Sequence, residues 1–107
     1  MTNHEERARQ LHKMGNNCST SLHKAFSEDT ELSQDFPMPR SIDGKCGALL
    51  TSLKILKEKG YEEEQEKFEN WFIQEFEYSK CMDLMTHGRR CNDYVGESAK
   101  MLDKILE

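Results

Sequence analysis

The chain has 107 residues, of which 36% are hydrophobic and 33% are charged, a composition that suits one small water-soluble domain spanning residues 1–107. The 15 basic residues against 20 acidic ones leave a formal net charge of −5, and this balance argues against nucleic-acid binding. No window approaches the roughly 18 apolar residues of a membrane span, and the first residues lack the apolar segment of a secretory signal. Four cysteines without such a signal indicate a reducing compartment, so we expect a cytoplasmic protein.

Helical periodicity dominates the chain, and no segment alternates apolar and polar residues long enough to predict a strand. A first helix is expected from about Glu5 to Met14, ended by Gly15. Asn16 and Asn17 are good N-caps for a second helix. The inner face of that helix carries Cys18, Leu22, Ala25 and Phe26.

The middle of the chain predicts a long loop followed by two further helices. The segment from Ser27 to Lys45 holds both prolines and has no sustained period, with one helical turn expected near residues 30–34. A third helix is expected from about Cys46 to Lys59, ended by Gly60. Its inner positions are Cys46, Leu49, Leu50, Leu53 and Leu56.

The remainder of the chain completes an all-α pattern. A fourth helix, roughly residues 61–78, carries an aromatic cluster that we place in the core: Phe68, Trp71, Phe72 and Phe76. A short turn at residues 81–85 and a loop at residues 86–90 lead to a last helix from Asn92 to Leu106, with Val95, Ala99, Leu102 and Leu106 on one face. These patterns predict a single-domain bundle of four to five helices.

The four cysteines, Cys18, Cys46, Cys81 and Cys91, each begin an apolar stripe. An apolar residue follows each of them four positions later, on the same face of the helix. Every thiol is therefore expected to point inward rather than toward solvent. A helix from Cys46 to Lys59 rises about 21 Å and the next returns about 27 Å, which predicts that the cysteines are grouped near one end of the bundle. Helix N-termini favour thiolate over thiol. Lys45, Lys80 and Arg90, which directly precede three of the cysteines, are expected to add to that bias.

The order of Cys18, then "CGALLT" at residues 46–51, then Cys81 and Cys91 resembles a four-cysteine family designated redox-active, with a C-G-A-x-x-G motif. The flanking segments "MGNNCSTSLHKAF" and "RRCNDYVGESAKMLDKIL" are similar to that family's first helix start and closing helix. Two features depart from the pattern: Thr51 replaces the last motif glycine, and "FPMPRSIDGK" replaces a glycine-rich approach to the second cysteine. The resemblance implies a small all-helical protein with a redox or metal role, including iron–sulfur binding.

Three functions follow from these residues as hypotheses. The first is thiol-based redox chemistry, in which two of the four cysteines form a reversible disulfide and exchange electrons with a partner protein or a small oxidant. A thiol–disulfide oxidoreductase and an electron carrier both fit this description. Four cysteines allow three pairings, so the sequence does not identify the two that form the disulfide. Self-association into a homo-oligomer also fits the sequence.

The second hypothesis is a binding module in which the same four cysteines hold an iron–sulfur cluster or zinc. Their separations of 28, 35 and 10 residues lack the close pairs typical of zinc and cluster sites. The third is a helical interaction protein whose cysteines are only small core residues. Neither a membrane nor a nucleic acid is expected as a partner.

The histidines carry weaker predictions. His87 lies between Cys81 and Cys91 and would suit a ligand or proton donor, although a loop histidine beside glycine is more often solvated. His12 and His23 have polar neighbours and are expected to be exposed, and His4 is expected in a frayed terminus.

Overall fold

A computed structural model describes residues 4–28, 31–87 and 91–106. The described residues form six helices, which are α1 His4–Lys13, α2 Cys18–Ser27, α3 Gly47–Glu58, α4 Glu62–Phe76, α5 Cys81–His87 and α6 Cys91–Leu106. In place of strands, these ranges contain one isolated antiparallel bridge between Lys45 and Lys80. The all-α prediction is confirmed, with one helix more than expected because residues 81–87 form a helix rather than a short turn.

The junction between α1 and α2 is built by the residues that the sequence marks as terminators and caps. Gly15 has a φ of 106°, a left-handed conformation that glycine adopts without steric cost. The Asn17 side chain accepts a hydrogen bond from the Thr20 N–H at 2.8 Å, as an N-cap does. Asn16 has a different task, because its side-chain amide donates to the Leu11 carbonyl at 2.8 Å and so closes the end of α1.

Two predicted helix ends lie further out than the observed ones. Helix α4 stops at Phe76 because Glu77 takes a φ of 71° and its N–H bonds to the Ile73 carbonyl at 2.7 Å. Helix α1 stops before Met14, whose side chain is 73% exposed instead of belonging to the inner face. Both differences are of the size expected at frayed helix termini.

The helices enclose one continuous apolar core. Helix α1 packs on α2 and α6, α2 packs on α3, and α3 packs on α4 and α6. The predicted inner faces of α2 and α6 are buried, as are Phe68, Phe72 and Phe76 of the aromatic cluster, while Trp71, Leu53 and Leu106 are half-buried at its edge. Helix α3 is buried around most of its circumference and forms the centre of the bundle.

The segment at residues 31–45 lies against α2 and α3 and buries polar groups that the sequence pattern places outside. His23 is buried rather than exposed, because its ring stacks on Phe36 with centroids 4.1 Å apart and its Nε2 lies 2.6 Å from the Ser33 carbonyl oxygen. The buried Thr51 hydroxyl donates to the Pro37 carbonyl at 3.3 Å. Residues 31–34 are not helical, and Thr30 of the expected turn lies outside the described residues.

Two other histidines also differ from expectation. His4 belongs to α1, where its ring stacks on Phe26 at 4.1 Å and its Nδ1 lies 2.5 Å from Asp103 Oδ1 of α6. His12 is half-buried, and burial lowers its pKa. The side chain of His87 lies outside the described part of the chain. Within the described ranges, no helix combines the length and apolar character needed to cross a bilayer.

Candidate functional site

All four cysteines lie where a helix begins. Cys18, Cys81 and Cys91 are the first residues of α2, α5 and α6, and Cys46 is the N-cap of α3. Within the described residues no disulfide joins them; Cys18, Cys46 and Cys81 are buried and Cys91 is half-buried. The helix starts predicted from the apolar stripes are therefore observed to within a residue or two.

The backbone joins the start of α3 to the start of α5. The Cys46 N–H donates to the Ser79 carbonyl at 2.8 Å, and the Cys81 N–H donates to the Gly44 carbonyl at 2.9 Å. Between these bonds lies the Lys45–Lys80 bridge. These hydrogen bonds hold the N-cap of α3 next to the first residue of α5.

The N-termini of α2 and α3 approach each other at Gly47. A Cβ atom at this position would lie 2.6 Å from Cys18 Sγ and 2.8 Å from Pro39 Cγ, and closer still to Ser19 Oγ. These separations are too short for any real Cβ, so only glycine allows the Cys18 side chain this close to the first turn of α3. The glycine that follows Cys46 in the sequence is the local signal of this approach.

The Cys18 thiol is the one whose ionisation the surroundings favour. The pKa of Cys18 is lowered from 9.0 to about 7. A hydrogen bond from the Cys46 thiol makes the largest contribution, and burial opposes it by raising the pKa. Hydrogen bonds from the N–H groups of Ala48, Ser19 and Gly47 lower it further, as expected where a helix start presents unpaired donors.

Cys46 is the protonated member of this pair. Its pKa is raised, first because its thiol donates to Cys18 and then because of burial and the negative charge of Cys18. The surroundings of the pair thus favour the proton on Cys46 and the thiolate on Cys18. At Cys46 the neighbouring thiolate and burial outweigh the helix N-terminus, which by itself favours thiolate.

Cys81 and Cys91 are also less acidic than an ordinary thiol. Burial raises the pKa of each, and the charge of Cys18 raises it further. The charge of Cys18 thus raises the pKa of each of the other three cysteines.

The cations expected beside the cysteines have other roles. Lys45 Nζ lies 2.7 Å from Glu69 Oε2, and Lys80 is exposed. Arg90 lies outside the described residues. The cation that lowers the pKa of Cys81 is Arg40, a loop residue whose guanidinium also lies 3.9 Å from Met82 Sδ. Sequence proximity did not identify it, because the loop brings it across from 41 residues away.

The described residues do not fit a metal or cluster site of three or more protein ligands. No three cysteine, histidine, aspartate or glutamate side chains among them lie close enough together to hold one metal ion. A structural zinc or an iron–sulfur cluster normally needs four such ligands.

Comparison with protein-family models, with curated proteins and with solved structures gives no match for this chain. The resemblance to the four-cysteine family stays a prediction that rests on the motif residues alone.

Proposed function

We propose that this protein carries out thiol-based redox chemistry, with Cys18 and Cys46 interconverting between a dithiol and a disulfide. The observation that carries the proposal is the close approach of Cys18 Sγ to Gly47, the residue that directly follows Cys46. The lowered pKa of Cys18, for which a hydrogen bond from the Cys46 thiol is the largest cause, supports it. It favours the Cys18–Cys46 pair among the pairings that the sequence left open. The proposed location is the cytoplasm, where reducing conditions keep such a pair cycling.

The two thiols would divide the chemistry between them. Thiolate is the attacking form in disulfide exchange, and a thiol whose pKa lies near the ambient pH combines a large thiolate fraction with good nucleophilicity. Cys18, with a pKa of about 7, meets this condition and is the attacking residue. Cys46 holds its proton until the sulfur of Cys18 has been oxidised, and then displaces the group bound to Cys18 to close the disulfide.

A defined set of cysteine variants tests the pairing. The reduced protein is equilibrated in a series of glutathione redox buffers, alkylated, and analysed by peptide mass spectrometry to identify the disulfide and its potential. We expect one disulfide joining Cys18 and Cys46, lost in Cys18→Ser and in Cys46→Ser. Cys81→Ser and Cys91→Ser are the matched controls, since each also removes a helix-start thiol, and we expect both to retain the couple.

The alternatives predict different results in the same experiment. A disulfide that requires Cys81 or Cys91 would overturn the proposed pair. A protein that forms no intramolecular disulfide in any buffer would support the interaction protein with structural cysteines. Iron or zinc bound in stoichiometric amounts after anaerobic purification, and lost in three or four of the variants, would favour the metal-binding alternative.

A further inference from the structure

The Ser19 hydroxyl is a buried polar group beside the reactive sulfur with no visible task. The residue is fully buried, and its Oγ has no hydrogen-bond partner among the described residues. Ser19 Oγ and Cys18 Sγ both lie next to the point where a Cβ atom on Gly47 would be. A buried hydroxyl without a hydrogen-bond partner costs about 1–3 kcal/mol of stability. A bound molecule that forms a hydrogen bond with Ser19 Oγ would recover this free energy.

The surroundings of Cys18 restrict what can reach its sulfur. Cys18 is only 8% exposed. Pro39 also lies next to the point where a Cβ atom on Gly47 would be, on which Cys18 Sγ borders. A protein disulfide must bring two bulky sulfur-bearing chains in line with the attacking sulfur, and such burial opposes that approach. A hydroperoxide carries its reactive bond in two oxygen atoms and is small enough to enter with a modest displacement of the loop. The displaced oxygen leaves with negative charge and requires a hydrogen-bond donor.

Building on the proposed dithiol, we propose that its oxidant is hydrogen peroxide or a small alkyl hydroperoxide, and that Ser19 donates a hydrogen bond to the displaced oxygen. The Cys18 thiolate attacks one oxygen, so that a sulfur–oxygen bond forms and the oxygen–oxygen bond breaks. Cys18 becomes a sulfenic acid, and the displaced oxygen leaves as hydroxide or alkoxide and takes a proton from solvent.

The second step returns the oxygen as water. The Cys46 sulfur attacks the Cys18 sulfur, so that the disulfide forms and the sulfur–oxygen bond breaks. The leaving hydroxide combines with the proton that Cys46 releases. The two sulfur atoms together supply the two electrons that reduce the hydroperoxide, and an external dithiol then restores the reduced pair.

The test compares two electrophiles on two serine variants. The reduced protein is mixed with hydrogen peroxide, and in parallel with iodoacetamide, which also consumes the Cys18 thiolate but releases iodide instead of an oxygen anion. Ser19→Ala is expected to slow the peroxide reaction about tenfold, the effect of losing one hydrogen bond to a charged group, and to leave alkylation unchanged. Ser98→Ala is the control, because Ser98 is likewise buried with an unpartnered hydroxyl but lies on α6.

In the Cys46→Ser background, dimedone should trap the sulfenic acid at Cys18 after peroxide treatment. Peroxide oxidation no faster than that of free cysteine would overturn the hydroperoxide assignment. Equal slowing of both electrophiles in Ser19→Ala would overturn the role of the hydroxyl. In both cases a Cys18–Cys46 disulfide formed in glutathione buffer would leave the dithiol function standing. Failure to form that disulfide under any oxidant would remove both proposals.

Discussion

Replacing Gly47 with alanine tests the approach of α2 to α3, which creates the acidity of Cys18. The added Cβ would lie 2.6 Å from Cys18 Sγ and 2.8 Å from Pro39 Cγ, and closer to Ser19 Oγ. Cys18 and Ser19 are buried and Pro39 is half-buried, so we expect the two helix starts to move apart. We expect the separation to weaken the hydrogen bonds that the first turn of α3 and the Cys46 thiol donate to Cys18.

Two opposing terms set the size of the stability change. Over-packing a filled interior costs about 1–3 kcal/mol, whereas alanine is about 1 kcal/mol better than glycine inside a helix and gains less at its first position. We therefore expect Gly47→Ala to lower the free energy of unfolding by about 1–2 kcal/mol. The effect on the thiol is larger in relative terms, since the pKa of Cys18 should rise from about 7 toward the ordinary 9.0. At pH 7 the thiolate fraction would then fall from about one half toward about one hundredth.

Urea unfolding measures the first quantity, and the rate of iodoacetamide alkylation of Cys18 across a pH series measures the second. Gly96→Ala is the matched control. Its Cβ would overlap the guanidinium of Arg9, a flexible side chain that can turn away, and it should leave the Cys18 titration unchanged. An unaltered Cys18 pKa in Gly47→Ala, with the clash verified by lower stability, would refute the dependence of this pKa on the contact between the two helices.

Three further substitutions or conditions follow from the same geometry. Cys46→Ala removes the donor to Cys18 and should raise the pKa of Cys18, whereas Cys46→Ser keeps an O–H donor and should raise it less, both read from alkylation rates against pH. Because the folded pKa of Cys18 is lowered from 9.0 to about 7, its contribution to stability is complete above the unfolded pKa and is lost as pH falls through about 7. The urea stability of the reduced protein should thus rise between pH 7 and pH 9, by at most about 2.7 kcal/mol, and the rise should vanish in Cys18→Ser. Thr51→Gly should cost about 2–4 kcal/mol in urea unfolding, since it empties a buried position and places glycine in a helix, whereas Thr51→Val should lose only the bond to Pro37, about 1 kcal/mol. Stability unchanged in Thr51→Gly would show that this position tolerates the motif glycine.

The helix starts could be predicted from sequence because the interactions that set them are local. The Asn17 cap bonds to an N–H three residues away, and Gly15 and Gly60 adopt positive φ at the positions where the apolar periodicity stops. An apolar residue four positions after each cysteine likewise depends only on helical geometry. These signals involve residues within one helical turn of each other, so they can be recognised without knowledge of the tertiary fold.

The features that sequence reasoning missed all depend on contacts between distant segments. His23 is polar and has polar neighbours, yet Phe36 and the Ser33 carbonyl cover it once the loop folds back. The acidity of Cys18 depends on donors that are 28 to 30 residues away. A helical pattern can indicate which face is inward, but it cannot identify the donor that lies across the interface.

The effect of the triplet Cys46-Gly47-Ala48 on Cys18 explains why these residue types occur together. Cys46 donates its thiol proton to Cys18, and the N–H groups of Gly47 and Ala48 donate to the same sulfur. Gly47 also gives the sulfur room to approach. A helix start aligns three consecutive residues so that their donors converge on one acceptor. The short motif therefore acts mainly on the first cysteine, Cys18.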